Sequence, residues 1–420
     1  MRANRTRRPG NVVVVVAVSL TTLMGFVALS LDGGLLLDQR RKVQSTGDAA
    51  ALAAAGKLYY NFNYDSGYDP AGTAKQAALD TAGVNGFQNG VNCTVTVNIP
   101  PLSGPFKNVA GHVEVLIGYD QPRFFSRVLG SGGVAVGSRS VARGRKTTFK
   151  DAILILDPTS KGSLNSGGNG TITVSGAPIQ VNSTDPAAAI ANGTGVLVAP
   201  EFDITGAPGI STPGGGTIAG TIVPNAQPIP DPFRFLPTPD PSTMTVRSTN
   251  KTQISGGNTV TLQPGVYQGG ISITGKGNVI LQPGIYYMQG GGFGWSGQGN
   301  LTATGVMIYN APTSTSDKID LSGQGSATIS PPTTGPYQGF ALFQDRNSTT
   351  EMQVTGQGAM SLTGTLYAAG ATLKVTGNGT TNLIGAQFIS YDLVTGGTGN
   401  FSVNWTAADT PGARQLLLVE

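Results

Sequence analysis

The hexapeptide Leu262-Gln263-Pro264-Gly265-Val266-Tyr267 recurs nineteen residues later as Leu281-Gln282-Pro283-Gly284-Ile285-Tyr286. A second motif, Ser/Thr-Gly-x-Gly, starts at Thr274, Ser296, Ser322, Thr355 and Thr376, with a looser copy over Thr395–Gly399. The intervals between successive copies are 22, 26, 33, 21 and 19 residues. Because one short repeat cannot bury its own apolar face, self-similarity of this kind predicts coils that stack around a shared core.

Short apolar runs, such as Ile271–Ile273 and Val279–Leu281, lie between these glycines. Residues 151–420 are therefore predicted to form an all-β, right-handed parallel β-helix, a solenoid of about 10–12 coils. We expect the glycines to occupy corners with positive φ. We also expect residues that follow the turns, such as Ile280, to be buried, and Lys276 to be exposed. Since the intervals are uneven, a pair of β-sandwiches stays open as the alternative.

A proline-rich segment interrupts the repeats. Seven prolines fall within the eighteen residues Pro224–Pro241. Such a density of proline favours an extended polyproline conformation over strand or helix. We predict an excursion at 224–241, which could split the solenoid into 151–223 and 250–410.

Composition and charge exclude several classes of protein. The chain has 420 residues, 62 of them Gly, and only 11% are charged. With Cys93 and His112 as its one Cys and one His, it can form neither an intrachain disulfide nor a Cys/His zinc site. Residues 1–150 carry 17 Lys/Arg against 8 Asp/Glu, and residues 151–420 carry 9 against 14. The basic stretches at the N-terminus and at Arg40, Arg41 and Lys42 contain no aromatic residue, so we expect no nucleic-acid partner.

The N-terminal residues predict a membrane segment. The stretch Val12–Leu31 has twenty residues without a charge, which as a helix would extend about 30 Å, the thickness of the hydrocarbon core. We predict a cytoplasmic basic tail at 1–11, a transmembrane helix at 12–31, and the remaining chain outside. A signal peptide cleaved near Ala28-Leu29-Ser30 is the alternative. A prepilin leader is disfavoured, since Val15 stands where such leaders carry Glu. The basic residues of the tail are Arg2, Arg5, Arg7 and Arg8.

A second helical pattern follows the apolar span. Its apolar face comprises Leu36, Val43, Ala50, Ala54 and Leu58, at spacings of seven, seven, four and four residues. The alanines of this face would let another element approach closely, so Ala50 is expected to be packed. Strand patterns at Val95–Ile99, His112–Ile117 and Val134–Val141 come next.

Residues 8–58 resemble the N-terminal segment of Tad/Flp pilus-assembly proteins, most closely the TadG-like branch. The resemblance rests on the basic N-terminus, the apolar span, Asp32-Gly33-Gly34, Arg40-Arg41 and the run Asp48–Ala55. Thr46 and Gly47 depart from the alanines usual there, and Gly47 should weaken the helix by about 1 kcal/mol. The resemblance implies a Tad-like α+β, pilin-like part at 32–150, with membrane lipid and other Tad-like pilus or envelope proteins as partners. We expect Asp48 to face water or a basic group of such a partner.

Candidate catalytic groups lie in the repeat region. Polysaccharide lyases and hydrolases built on solenoids need clustered acids with a basic neighbour, and two clusters have this composition: Asp317, Lys318 and Asp320, and Asp345, Arg346 and Glu351. The stretch Asp157–Ser160 resembles the start of a von Willebrand A metal site, but Lys161 stands where a second hydroxyl ligand belongs. We expect His112 to be structural and Cys93 to be buried.

These observations predict no catalytic, cofactor-binding or metal-binding residue. The leading hypothesis is a non-enzymatic envelope protein, anchored in the bacterial cytoplasmic membrane by a single pass with its N-terminus inside. Its role would be structural, in pilus assembly or in surface adhesion. The alternatives are a β-helix enzyme acting on polysaccharide and an adhesin whose partner is a surface glycan.

Overall fold

The computed structural model describes residues 11–90, 92–125, 127, 132–356, 358–377, 382–398 and 400–420. The predicted basic tail lies outside this range except for Asn11. The chain divides into two compact units. The first runs up to Lys146 and also contains Arg414–Glu420, and the second is Thr147–Ala413.

The first unit is an α+β structure, as predicted. Helix α1 runs without a break over Asn11–Asp65 and is followed by α2 (Thr73–Val84). A four-stranded sheet has the order β1-β2-β3-β31, with β1, β2 and β3 antiparallel. Its strands are β1 (Cys93–Asn98), β2 (His112–Gln121), β3 (Val134–Thr148) and β31 (Gly412–Leu418).

The C-terminal boundary of the solenoid differs from the expected one at 420. Strand β31 is the last strand of the first unit's sheet. There, the Val141 amide donates to the Glu420 carbonyl at 2.8 Å and the Val419 amide donates to the Val141 carbonyl at 2.8 Å. The second unit is thus inserted in the chain between two strands of the first unit's sheet.

The second unit is a parallel β-solenoid of about 11 turns, which confirms the predicted fold. All of its strand pairs that the structure describes are parallel, for example β19 with β22 and β22 with β25. That the coil is right-handed stays a prediction. Its strands are β4 (Ile153–Ile155), β5 (Leu164–Ser166), β6 (Thr171–Ser175), β7 (Ile179–Val181), β8 (Ala189–Ala191), β9 (Val196–Ile204), β10 (Ile210–Ser211), β11 (Thr217–Pro224), β12 (Val246–Ser248), β13 (Thr252–Ile254), β14 (Val260–Leu262), β15 (Gly265–Gln268), β16 (Ile271–Ile273), β17 (Val279–Leu281), β18 (Gly284–Gln289), β19 (Phe293–Trp295), β20 (Leu301–Ala303), β21 (Val306–Ala311), β22 (Ile319–Leu321), β23 (Ala327–Ile329), β24 (Phe340–Gln344), β25 (Met352–Gly356), β26 (Met360–Leu362), β27 (Thr365–Gly377), β28 (Asn382–Ile384), β29 (Gln387–Gly397) and β30 (Phe401–Asn404).

The uneven motif intervals are the lengths of individual coils. Ile271 pairs with Phe293, Phe293 with Ile319, Ile319 with Met352, and Met352 with Leu373. These register offsets are 22, 26, 33 and 21 residues, the same as the first four intervals between the motifs. Insertions are therefore accommodated at the corners, while the stacked strands stay in line.

The coils do not stack in the order of the sequence. The coil of β29 and β30, near the end of the second unit, pairs with the coil of β4, β5 and β6, which begins that unit. The stack therefore starts at β12, runs to β30, continues from β4, and ends at β11. The predicted split at the proline-rich segment does not occur, because this junction joins both blocks into one core.

The proline-rich segment returns the chain from one end of the stack to the other. We call residues 225–245, between β11 and β12, the strap. The roughly ten spacings between about 11 turns, at about 4.8 Å each, make roughly 50 Å. Twenty-one residues in polyproline conformation reach about 65 Å, which is enough to cover that length.

The prediction of positive φ holds for one of the two motifs. Gly265 and Gly284 of the repeated hexapeptide have φ values of 148° and 137°, whereas Gly277 and Gly299 of the Gly-x-Gly turns do not have positive φ. A Cβ on Gly277 would lie 2.0 Å from the Asn258 carbonyl oxygen, and one on Gly299 would lie 1.9 Å from that of Gly277. Glycine is required because the backbones of successive coils touch at this corner.

The predicted burial of Ile280 is also corrected. Val279 and Leu281 are buried, whereas Ile280 between them is only half-buried. Successive side chains of a strand point to opposite faces, so only the first and third residues of β17 enter the core. Lys276 is exposed, as expected.

Candidate membrane and assembly helix

The first part of α1 is apolar and exposed. A stretch of 18 residues in this helix has a mean hydropathy of 2.6, and none of it is buried. The helix is therefore long and apolar enough to cross a membrane. Val13 is 74% exposed and Phe26 65%. Within the hydrocarbon core the helix would satisfy its own backbone hydrogen bonds. The hydroxyl groups of Ser19, Thr21 and Thr22 likewise donate to carbonyls one turn back, at 2.8 Å each.

The second part of α1 is the core helix of the first unit. Val43, Ala50, Ala54 and Leu58 are all buried, which matches the face predicted from their spacing. They share a cluster with alanines of α2 and with alternate residues of the sheet. One continuous helix thus joins an exposed apolar segment to the folded part of the first unit. We call this folded part, formed by the second half of α1, by α2 and by the four-stranded sheet, the head.

Two glycines permit the close contact between α1 and β3. A Cβ on Gly47 would lie 2.8 Å from the Ser140 hydroxyl, and one on Gly144 would lie 1.8 Å from the Ala55 carbonyl oxygen. The close contact between Gly47 and Ser140 gives a packing reason for glycine at this position of the helix.

Asp48 does have a partner within the chain, contrary to expectation. Its Oδ1 accepts hydrogen bonds from the Ser140 hydroxyl at 2.6 Å and from Gln44 Nε2 at 2.8 Å. Because α1 and β3 are distant in sequence, spacing alone could not reveal this bond. The carboxylate fixes the rotation of α1 against the sheet.

His112 and Cys93 lie in the core of the first unit. His112 is 1% exposed and its ring stacks on Phe106 at a centroid distance of 4.7 Å. Its Nδ1 lies 3.1 Å from the Ala110 carbonyl, and its Nε2 accepts from Arg143 Nε at 2.9 Å. Burial lowers the pKa of His112, and the Arg143 charge acts in the same direction. Cys93 is buried, and burial raises the pKa of its thiol.

An ion-pair network lies on β2 and β3, the two central strands of the same sheet. Glu114 is fully buried and accepts hydrogen bonds from Asn98 Nδ2 at 2.8 Å, Arg139 Nε at 2.7 Å and the Ser103 hydroxyl. Burial opposes its charge, but these bonds together lower the pKa of Glu114 to about 2. Arg139 also pairs with Glu420, which attaches the C-terminal strand to the sheet.

Three of the four acids weighed as catalytic residues have partners within the chain, whereas Oδ1 of the fourth, Asp320, is buried without a hydrogen-bond partner among the described residues. Asp317 accepts from the Thr313 and Ser314 amides at 2.9 Å each, which closes a turn and lowers its pKa. Lys318 pairs with Glu351 across neighbouring coils at 3.0 Å. Two acids from different coils do approach one another elsewhere: burial, and then the charge of buried Asp157, raise the pKa of Asp392 to about 6.

The second cluster, at 345–351, holds the strap. Arg346 Nη2 donates to the Phe233 and Leu236 carbonyls at 2.7 Å each, and its Nε donates to the Tyr367 hydroxyl at 2.8 Å. The Asp345 carboxylate accepts from the Tyr309 hydroxyl at 2.6 Å. No group of three or more possible metal ligands occurs among the residues that the structure describes.

An aromatic column under the strap was not predicted. Tyr287, Tyr309, Phe343 and Tyr367 follow one another in register on successive coils. Their ring centroids are 4.9, 5.4 and 4.4 Å apart. Phe233 and Leu236 of the strap pack against this column, and the Tyr367 hydroxyl donates to Asp231 at 2.6 Å.

Comparison with known proteins confirms the resemblance of the N-terminal segment. Residues 10–57 match the family model described as putative Flp pilus-assembly TadE/G-like. The match covers the apolar part of α1 and most of its packed part. No curated protein and no solved structure shows significant similarity to the chain. The chain thus combines a TadE/G-like segment, of the kind found in pilus-assembly envelope proteins, with a parallel β-solenoid.

Proposed function

We propose that this protein is a non-enzymatic envelope protein in which α1 anchors the chain in the bacterial cytoplasmic membrane and the solenoid lies outside it. Its role is structural, in assembly with other Tad-like components. The observation that carries the proposal is the position of the family match. It falls on a helix that combines an exposed apolar segment with a face buried in the core of the first unit.

The partners of three of the acids weighed as catalytic residues support a role without catalysis. A glycosidase needs two carboxylates facing a common substrate. Asp317, Asp345 and Glu351 instead close a turn, accept from Tyr309 and pair with Lys318. Loss of an activity on glycans in Asp317→Ala or Asp345→Ala would favour the enzymatic alternative over this proposal.

Export and anchoring are tested in intact spheroplasts. Added protease should degrade the chain beyond Asp32, while the apolar span Val12–Leu31 stays in the membrane after carbonate washing. The basic residues before the apolar span favour this orientation. Full protection of the region after Asp32 would exclude an external solenoid, and extraction by carbonate would exclude the anchor.

The assembly role is tested by affinity purification of the full-length protein from its native envelope. Tad-like pilus components should co-purify with the wild-type protein. A bait in which the solenoid residues 151–410 are deleted should still capture them if α1 and the head make the contact. Capture of surface glycan by the purified solenoid, with no Tad-like component on the full-length protein, would favour adhesion instead.

A further inference from the structure

The loop after β2 is attached to α1 at the end of the apolar span. The Phe125 amide donates to Asp32 Oδ1 at 3.1 Å. Leu29, Leu36, Pro122 and Phe124 line a shallow groove at the same point. The loop residues 122–125 are thereby held against the helix, although they follow Asp32 by some ninety positions in sequence.

The position of this contact along α1 determines how deep the loop lies in a membrane that α1 spans. Asp32 is the first charged residue after the uncharged span Val12–Leu31. A helix rises about 1.5 Å per residue, so a contact between Leu29 and Leu36 lies within roughly 8 Å of the end of that span. If the span crosses the hydrocarbon core, the loop lies at the level of the lipid headgroups.

The loop has the aromatic and basic residues that are typical of the headgroup region of a membrane. Phe124 is 60% exposed and Phe125 is 55% exposed, although both belong to a folded unit with its own core. Arg123 precedes them and the exposed Arg127 follows. Aromatic rings are favoured at the boundary between headgroups and acyl chains, and guanidinium groups bind phosphate. The apolar surface continues onto α1, where Leu35 and Leu37 are 43% and 61% exposed.

We propose that this loop is a second membrane contact, whose occupant is the same bilayer that α1 spans. Phe124 and Phe125 insert into the outer interface beside the helix, and Arg123 and Arg127 bind lipid phosphates. The inference rests on the proposed anchoring. Two contacts side by side would hold the first unit at a fixed height on the membrane, which a single helix does not do.

The test uses the full-length protein in vesicles of phosphatidylcholine and phosphatidylglycerol, with Trp as a depth probe. Phe125→Trp is compared with Tyr60→Trp. Tyr60 is 63% exposed on α1, but it lies 29 residues beyond Leu31, the last residue of the uncharged span. Lipids brominated on the acyl chain should quench the added emission of Phe125→Trp at least twofold, after subtraction of the wild-type signal. They should leave that of Tyr60→Trp unchanged.

A further variant tests the basic residue. Arg127→Gln in the Phe125→Trp background should reduce quenching when phosphatidylglycerol is present. Unchanged quenching in that variant would overturn the phosphate contact.

Carbonate extraction of the same vesicles separates the two proposals. If the protein resists extraction but Phe125→Trp is no more quenched than Tyr60→Trp, the loop proposal is wrong and the anchor stands. That result is expected if the loop binds another protein and not the lipid bilayer. Extraction of the protein by carbonate would overturn both.

Discussion

At the scale of single residues, Ala50 tests the packed face of α1. It is fully buried in the cluster of α1, α2 and the sheet. Ala50→Leu adds three carbons to this contact and should lower the free energy of unfolding of the first unit by about 1–3 kcal/mol. Thermal unfolding in detergent, followed by the loss of helical circular dichroism, measures the effect.

The control is Lys57→Ala on the same helix. Lys57 is exposed, so its removal should change stability by less than about 0.5 kcal/mol. In cells, Ala50→Leu should lower the steady-state level of the protein or its recovery with Tad-like components, whereas Lys57→Ala should do neither. Equal behaviour of the two variants would mean that α1 is a spacer and not a packed helix.

His112 should make the first unit sensitive to pH. Burial and the Arg143 charge keep its folded pKa below the usual value of 6.5. The unfolded chain therefore binds a proton more readily, and stability falls as the pH drops from about 7 to about 5. His112→Gln should remove this part of the pH dependence. Glu114, whose pKa is about 2, loses its contribution only at lower pH. An unchanged slope between about pH 7 and pH 5 in the variant would assign the titration to another group.

Residue roles could be predicted only where they depend on local spacing. The buried face of α1 follows from intervals of seven and four residues, and its alanines lie where that spacing puts them. The partner of Asp48 and the inward side of β17 depend on other elements. Ser140 reaches Asp48 from a strand ninety residues away, and the length of the preceding turn decides whether Ile280 or its neighbours face the core.

At the scale of elements, Arg346 should hold the strap on the solenoid. Its guanidinium donates to two carbonyls of residues that are themselves buried, Phe233 and Leu236. Arg346→Ala leaves these acceptors unpaired, at a cost of about 1–3 kcal/mol. Arg234 is exposed between them. Trypsin should therefore cleave after Arg234 faster in Arg346→Ala than in the wild-type protein.

Lys276→Ala serves as the control for this experiment. It likewise removes one basic residue and one trypsin site, but Lys276 is exposed and lies in a corner turn, whereas Arg346 is half-buried. Its rate of cleavage after Arg234 should equal that of the wild type. If Arg346→Ala cleaves no faster than this control, the strap is held by its apolar contacts alone.

The strap shows why an element can be predicted and its position cannot. The six prolines of the strap indicate an extended segment. Its partners, among them Tyr309, Phe343 and Tyr367, become neighbours only through the stacking of coils of unequal length. Sequence periodicity therefore predicts that a solenoid forms, while the column of rings on its surface depends on the insertions between repeats.

At the scale of the whole solenoid, the order of the coils is the least predictable feature. The glycine motifs mark coils but carry no information about which coil follows which in space. The junction between β30 and β6 joins Phe401 with Ile172 and Val403 with Val174, so it extends the apolar core across a break in the chain. The chain thus enters and leaves the second unit at adjacent coils. The strap connects the two ends of the stack of coils.

This order predicts that the solenoid assembles from two separate pieces. Co-expressed fragments 147–230 and 231–413 are cut within the strap and should co-purify in equal amounts, because each leaves an open sheet edge and apolar core that the other covers. Ile172→Asp in the smaller fragment places a charge at the junction and should abolish the complex. Its neighbour Thr173 is exposed and pairs with Ser402, so Thr173→Asp should not. If the coils instead stacked in sequence order, β6 would lie near a free end, β11 would meet β12, and the complex would survive Ile172→Asp as well as Thr173→Asp.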